Sequence, residues 1–158
     1  MDNYLISLEA ANSMLLECYK KRDDLEIGGV LVGLKKHNRI ITDTIPSSDF
    51  AVRKHYSYHQ SEKDVEILNK KLRYLQGQGK DFLGYWHWHP SGLFNLSNGD
   101  RETCSEILQC PSAKINNRLL MFIVTETNKN DLQIFSYVVS LNDSEEVDVR
   151  SINLKIMP

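Results

Sequence analysis

Residues 87–100 have the sequence HWHPSGLFNLSNGD, with two histidines one residue apart and a serine and an aspartate downstream. Successive side chains of an extended strand point to opposite faces, so His87 and His89 project from one side, about 7 Å apart along the chain. Both imidazoles can then bind one metal ion. Trp86 and Trp88 point the other way, where core packing is the favoured role and a substrate groove the alternative.

Asp100 follows His89 by eleven residues, which is far enough for the chain to turn through residues 90–92 and return a carboxylate as a third ligand. Two nitrogens and one oxygen leave a fourth tetrahedral position for water, an arrangement typical of catalytic zinc and not of structural zinc. In the competing interpretation, the histidines are half-buried core residues beside tryptophans.

Residues 26–33, EIGGVLVG, form a second motif. Gly29 and Gly33 lie four residues apart on a predicted strand, a spacing that favours close approach of backbones across a sheet. Glu26 precedes the strand. From its position alone it is a solvated carboxylate where a helix gives way to a strand.

Together, Glu-x-x-Gly-x-x-x-Gly and His-x-His-Pro-x6-Ser-x2-Asp resemble the motif of the JAMM metalloproteases, also called the JAB or MPN domain (Mov34/MPN/PAD-1) family. The resemblance covers roughly residues 25–108 and is to the compact bacterial branch, which includes ubiquitin-like deconjugases of anti-phage defence operons. It implies a zinc-dependent isopeptidase or peptidase that cleaves after the C-terminal glycine, or a small residue, of a ubiquitin-like protein.

The same resemblance assigns roles to individual residues. It implies one zinc ion per chain, held by His87, His89 and Asp100, with Glu26 as general base. The Ser97 hydroxyl would stabilise the tetrahedral intermediate. Alternatively, Ser97 merely caps the helix that follows it.

Substrate contacts are expected close to the metal and in the loop before the second helix. The candidates are Trp88, Ser91, Gly92, Arg53 and Lys54; for the loop residues the alternative is a solvated surface. An extended substrate tail could also be bound by strand addition to a sheet edge near the metal.

Alternative functions use the same metal residues. One is a JAMM hydrolase that trims a sulfur-carrier protein or a small amino-acyl conjugate. Another is a non-catalytic MPN scaffold, which would be expected to lack a ligand. For the deconjugase, the resemblance implies E1- and E2-like partners from the same operon, whereas a RadC-like role near DNA is disfavoured by the charge balance.

Composition is consistent with a small enzyme. With 158 residues, 41% hydrophobic and 25% charged, the chain is expected to be a single domain over residues 1–158. The net charge of −2 argues against nucleic-acid binding through a phosphate-neutralising surface. No apolar run approaches the ~20 residues of a membrane span, and three cysteines without paired spacing suit a reducing compartment, so we expect a cytoplasmic protein without a membrane partner.

The periodic segments predict an α+β fold. The resemblance implies a single MPN/JAB-like, cytidine-deaminase-like domain in which a mixed, mostly antiparallel sheet is flanked by helices. The predicted helices follow Ser7, follow Ser61 and span residues 100–108. The predicted strands span residues 27–34, 39–45, 81–88, 118–125 and 131–139, and a bulged edge strand lies near Ser151.

Overall fold

The structure, a computed structural model, describes residues 2–20, 26–48, 52–53, 58–59, 61–113, 115–127 and 131–158, with side chains undescribed at 52–53, 58–59 and 91. Its helices are α1 (Leu8–Lys20), α2 (Glu62–Gln76) and α3 (Asn98–Leu108). Its strands are β1 (Asn3–Ser7), β2 (Ile27–Leu34), β3 (Ile40–Pro46), β4 (Val52–Arg53), β5 (Tyr58–His59), β6 (Lys80–His89), β7 (Leu119–Glu126), β8 (Leu132–Leu141), β9 (Val147–Ser151) and β10 (Asn153–Met157).

Eight strands form one mixed sheet in the order β10-β1-β3-β2-β6-β7-β8-β9, and β4 pairs with β5 separately. Strand β6 lies inside the sheet, antiparallel to β2 and parallel to β7. The two outermost strands, β9 and β10, are separated in sequence by Ile152 alone. The chain therefore passes from one end of the sheet order to the other in a single residue, which requires the sheet to curl.

Helix α1 packs against one face of this curled sheet. Its buried residues Ala10, Met14 and Cys18 share a core with Trp86, with Ile152 and with side chains from β1, β2, β3, β7 and β8. On the opposite face, α3 packs on β7 and β8, and α2 packs on β2 and β3. The two tryptophans of β6 thus face α1, while the histidines face the side that carries α2 and α3.

The helices begin where the sequence supplies a capping side chain. Ser7 Oγ accepts a hydrogen bond from Ala10 N at 3.1 Å, and Ser61 Oγ accepts one from Asp64 N at 3.1 Å. Each hydroxyl satisfies a backbone N–H that has no partner inside the first turn. Both predicted caps are confirmed, and α2 ends before Gly77 as expected.

Close packing explains two of the glycines in the second motif. A Cβ at Gly29 would collide with the Ile45 carbonyl oxygen and the Trp86 indole, and one at Gly33 would collide with the Ile40 carbonyl oxygen. Close approach across the sheet, predicted from their spacing, is confirmed.

The predicted fold class, a cytidine-deaminase-like MPN domain with a helix-flanked sheet, is wrong: helices lie on both faces, but strands predominate and the sheet is curled. More residues lie in strands than in helices, and three helices accompany an eight-stranded sheet among the described residues. Four of its seven pairings are antiparallel and three are parallel, namely β1–β10, β1–β3 and β6–β7. Instead of forming an open layer between helices, the sheet curls over α1 until Ile152 joins its ends.

Local differences accompany this correction. Strand β1 was not predicted, and the single bulged strand expected near Ser151 is two strands, β9 and β10, at opposite ends of the sheet order. Helix α3 begins at Asn98, so Asp100 is its third residue and not its first.

The described residues include those on which the expectations about membrane spans and cysteines depend. No helix in the described ranges has the length and apolar character that a membrane span needs. Cys18 and Cys104 are buried, Cys110 is exposed, and all three are free thiols. Burial raises the pKa of Cys18 and of Cys104 to about 12, which keeps both thiols protonated and unreactive.

Candidate metal centre

The sheet register brings the two sequence motifs together. In the antiparallel pairing of β2 with β6, Ile27 lies opposite Trp88 and Gly28 opposite His87. Glu26, one residue before Ile27, therefore lies beside His89 at the end of β6. On the other side of β6, His89 pairs with Thr125 of β7, whose buried hydroxyl donates to the His89 carbonyl oxygen at 2.6 Å.

The structure places His87, His89 and Asp100 in one cluster. One ligand atom from each lies within 4.8 Å of the other two. His87 Nδ1 lies 2.9 Å from Asp100 Oδ1, and His89 Nε2 lies 3.4 Å from Asp100 Oδ2. These three side chains could hold a metal ion, since two imidazoles and a carboxylate suit zinc and several other first-row divalent ions.

Asp100 is held as a charged carboxylate by His87 and His89 and, to a smaller extent, by the start of α3. Ser97 and Asp100 form a reciprocal capping box: Ser97 N donates to Asp100 Oδ2 at 2.8 Å, and Asp100 N donates to Ser97 Oγ at 3.0 Å. Burial raises the pKa of Asp100, but bonding to His87 and His89 and to the Ser97 N–H outweighs burial and holds the pKa well below its usual range. An ionised carboxylate is the form that binds a cation.

One ring nitrogen of His89 faces the cluster, and the other makes a hydrogen bond to the backbone. Its Nδ1 lies 3.1 Å from the Leu93 carbonyl oxygen, to which only a protonated nitrogen can donate. In the neutral ring, that bond leaves Nε2 with its lone pair facing Asp100, 3.4 Å from Oδ2. Although Nε2 is buried, no group in the described part of the chain makes a hydrogen bond of good geometry with it. A buried, unsatisfied acceptor beside an ionised carboxylate fits a bound cation.

The electrostatics of His89 reflect two nearby carboxylates. Burial lowers its pKa, but the interactions with Asp100 and the charge of Glu26 outweigh burial, so the pKa is raised. A proton and a metal ion therefore compete for the same nitrogen.

Glu26 lies at the edge of the cluster and outside the three-residue ligand set. Its Oε1 is 3.9 Å from His89 Nε2, and its side chain is 14% exposed. A partly buried carboxylate at this distance can exchange protons with a molecule bound beside His89, which is the geometry that general acid–base catalysis needs.

Ser97 has the capping role that was the alternative to catalysis. Its hydroxyl caps α3 by accepting from Asp100 N, and the residue is exposed. The catalytic and capping roles are compatible, because a hydroxyl that accepts one hydrogen bond still has a proton to donate.

The residues predicted to contact substrate have different positions. Trp88 is buried with Trp86 in the core beside α1, so its assignment as a substrate contact is wrong and the packing alternative holds. Gly92 is exposed with a φ of 73°, a left-handed conformation that glycine adopts without strain. The side chains of Arg53 and Ser91 and the whole of Lys54 lie outside the described residues.

Strand addition to β6 itself is excluded by the sheet. The segment from Gly84 to Trp88 is paired on one side with β2 and on the other with β7, and His89 is paired with β7. A molecule that binds at the candidate metal cluster therefore cannot pair with β6 as an added strand.

Sequence reasoning missed two side chains that hold the site. Thr125 supports the end of β6, and Tyr137 of β8 donates from its hydroxyl to the Phe94 carbonyl oxygen at 2.8 Å. Each lies far along the chain from the residue it supports, so neither had a local sequence signal. Strand pairing alone could have pointed to Thr125.

Comparisons with known proteins give a fold and no family. No family model matches the chain, and no curated protein matches it. Among solved structures, the chain is similar to protein DSY2949 from Desulfitobacterium hafniense, a structural genomics target determined in solution. The two share 17% sequence identity over 98% of this chain and 94% of that one, with a TM-score of 0.63. At this identity the likeness concerns the fold alone.

Proposed function

We propose that this chain is a zinc-dependent isopeptidase or peptidase that cleaves after the C-terminal glycine, or another small residue, of a ubiquitin-like protein, in deconjugation or precursor processing. The observation that supports it is the position of Glu26, whose carboxylate lies 3.9 Å from His89 Nε2 beside the three candidate ligands. A ligand cluster with a separate carboxylate next to it is typical of hydrolytic metal sites and not of closed structural ones.

Each requirement of amide hydrolysis has a candidate group. Zinc bound by His87, His89 and Asp100 would supply Lewis acidity that activates a water molecule and polarises the scissile carbonyl. Glu26 would accept the proton of that water and return it to the departing amine, an effect typically worth ~10²–10⁴-fold in rate. The Ser97 hydroxyl would donate to the developing oxyanion.

Access to the cluster is limited, which favours a small residue before the scissile bond. His87 and Glu26 each have side chains about one-seventh exposed, while His89 and Asp100 are nearly inaccessible. Leu93, whose carbonyl accepts from His89, is itself exposed beside the cluster. A substrate main chain that must descend between such side chains clashes if it carries bulky residues, and glycine does not.

The proposed partner is a ubiquitin-like protein or its conjugates, with E1- and E2-like enzymes acting upstream. Contacts with the folded part of that substrate would supply binding energy that a short peptide lacks. The net charge of −2 favours a protein partner over a nucleic acid.

The test compares two substrates with the same scissile bond. Zinc-loaded protein is incubated with a ubiquitin-like protein fused through Gly-Gly to a reporter and, separately, with a peptide of the tail alone; mass analysis locates the cut. We expect a higher kcat/KM for the intact fusion, cleavage after the last glycine, and no cleavage by Glu26→Gln. Equal cleavage of the peptide, or cleavage of small amides only, would replace this proposal with a small-conjugate hydrolase.

A further inference from the structure

Between the second histidine and α3 the chain passes through residues 92–94, which we call the strap. The strap starts at Gly92, which has a left-handed φ of 73°. The next carbonyl, that of Leu93, accepts the hydrogen bond from His89 Nδ1 at 3.1 Å. The strap therefore contacts the candidate metal ligand through its backbone.

Strand β8 holds the far end of the strap at two points. Tyr137 donates its hydroxyl hydrogen to the Phe94 carbonyl oxygen at 2.8 Å. The Phe94 ring stacks on Phe135, with ring centroids 4.9 Å apart and planes inclined by 27°. Phe135 and Tyr137 are two residues apart on the same strand and so lie on the same face. The carbonyl and the ring of one strap residue are thus fixed to one strand.

The strap determines which nitrogen of His89 faces the cluster. The two ring nitrogens of a neutral imidazole cannot both carry the proton, and the hydrogen bond made by one decides the role of the other. A carbonyl at Nδ1 keeps the proton there and leaves the Nε2 lone pair for a cation. Partners of this kind orient metal-binding histidines, and their loss typically costs 10–100-fold in metal affinity.

We propose that Tyr137 is a positioning residue for the metal centre: by anchoring the strap at Phe94 it holds the Leu93 carbonyl against His89 Nδ1 and so fixes the tautomer that binds metal through Nε2. The inference rests on the proposed metal site. Tyr137 itself need not contact metal or substrate, because it acts through two carbonyl groups and the ring of His89.

The test is Tyr137→Phe, which keeps the ring and removes the hydroxyl. We expect zinc affinity, measured by competition with a chromogenic chelator, to fall by about tenfold, the lower end of the range for such partners. Long-range ¹H–¹⁵N spectra of the metal-free protein at pH 8 should show His89 protonated at Nδ1 in the unmodified protein and a mixture of tautomers in the variant. Tyr4→Phe is the matched control, since its ring is buried in the core beside α1 on the other face of the sheet; zinc affinity and the His89 spectrum should be unchanged.

Gly92→Ala disturbs the strap from its other end without touching Tyr137. A side chain there has an unfavourable φ and meets the Glu126 carbonyl oxygen at 3.3 Å, so zinc affinity should again fall. Tyr137→Phe with unchanged zinc affinity and tautomer overturns the proposal, as does a neutral His89 ring whose single proton lies on Nε2 in the unmodified protein. Failure of the unmodified protein to bind zinc overturns the proposed function instead, and the tautomer spectra still decide whether Tyr137 controls His89.

Discussion

The two ends of strand β6 lie in different polar environments. At its start, Lys80 Nζ pairs with Asp43 Oδ2 at 2.7 Å, and the side chains are 23% and 31% exposed; Asp81 accepts from Gln76 nearby. At its other end, two imidazoles and two carboxylates meet around a nearly inaccessible His89. Opposite charges at the solvated end satisfy each other at a net gain of about 0–1 kcal/mol. The buried end brings one possible ligand atom from each of three side chains within 4.8 Å of the others, which suits a cation from outside the chain.

The largest expected effect is loss of metal from the buried end. His87→Ala or His89→Ala removes one of three protein ligands, so zinc and activity should disappear together. Lys80→Ala is the control at the solvated end of the same strand; it breaks an ion pair and should leave the zinc content at one ion per chain. Elemental analysis of the purified proteins measures this, and normal zinc content in either histidine variant would refute the ligand assignment.

Glu26→Gln separates metal binding from chemistry at the buried end. The amide keeps the shape of the side chain but cannot accept a proton, so zinc should be retained while kcat falls by ~10² or more. Asp43→Asn makes the same chemical change at the solvated end and should leave kcat unchanged. A fully active Glu26→Gln enzyme is incompatible with the proposed mechanism.

The buried end should also respond to pH in a defined direction. Because the pKa of His89 is raised in the metal-free protein, a proton must leave before zinc binds, and apparent affinity should weaken by up to about tenfold for each pH unit below that pKa. The same shift stabilises the metal-free fold at low pH, and this contribution disappears as pH rises through the folded-state pKa. Zinc titrations between pH 6 and 8 test the direction; stronger binding at lower pH contradicts it.

A smaller effect distinguishes the two capping serines. Ser97→Ala and Ser61→Ala each remove a hydroxyl that caps a helix, and each should lower the free energy of unfolding by about 1 kcal/mol. Only Ser97→Ala should also lower kcat, because only that hydroxyl lies at the metal cluster. Urea unfolding and kinetics are measured on both variants. If the kcat of Ser97→Ala equals that of Ser61→Ala, Ser97 acts only as a helix cap.

The smallest expected change is in the backbone when metal is removed. The core beside α1 includes neither of the candidate metal ligands His87 and His89, so chelation should abolish catalysis while the far-UV circular dichroism spectrum stays near native. The melting temperature should fall, since a ligand bound only to the folded state stabilises it. Global unfolding on chelation would instead make the ion structural.

The sequence predicts features that depend on the alternation of side chains within one strand. It does not predict features that depend on which strands pair and in which register. The alternation of His87 and His89 with Trp86 and Trp88 follows from strand geometry, and the structure has the tryptophans in the core. The proximity of Glu26 to His89 depends on the register of β2 against β6. No residue near Glu26 indicates that register in the sequence. The proximity of Glu26 to the histidines was therefore predicted only from the family resemblance.

The incorrect fold class has the same origin. Strand β1 was missed because only Tyr4 and Ile6 are buried in it, too short an alternation to detect. The change of phase near Ser151 was detected but interpreted as a bulge. Its actual cause is Ile152, where the chain leaves one end of the sheet order and joins the other. Segment patterns indicate the elements, whereas strand order and curl arise from contacts between distant segments.

The junction at Ile152 also affects the order in which the strands of the sheet can pair during folding. Strand β1 pairs with β10, so Asn3 lies opposite Asn153. The first strand of the sheet in sequence therefore cannot complete its pairing until the last described strand has been made. Closing so long a loop costs more entropy than closing a hairpin, and sheets dominated by such contacts fold slowly. During synthesis on the ribosome, one side of β1 therefore lacks its partner until residues 153–157 emerge, and an unpaired strand edge can pair with another chain.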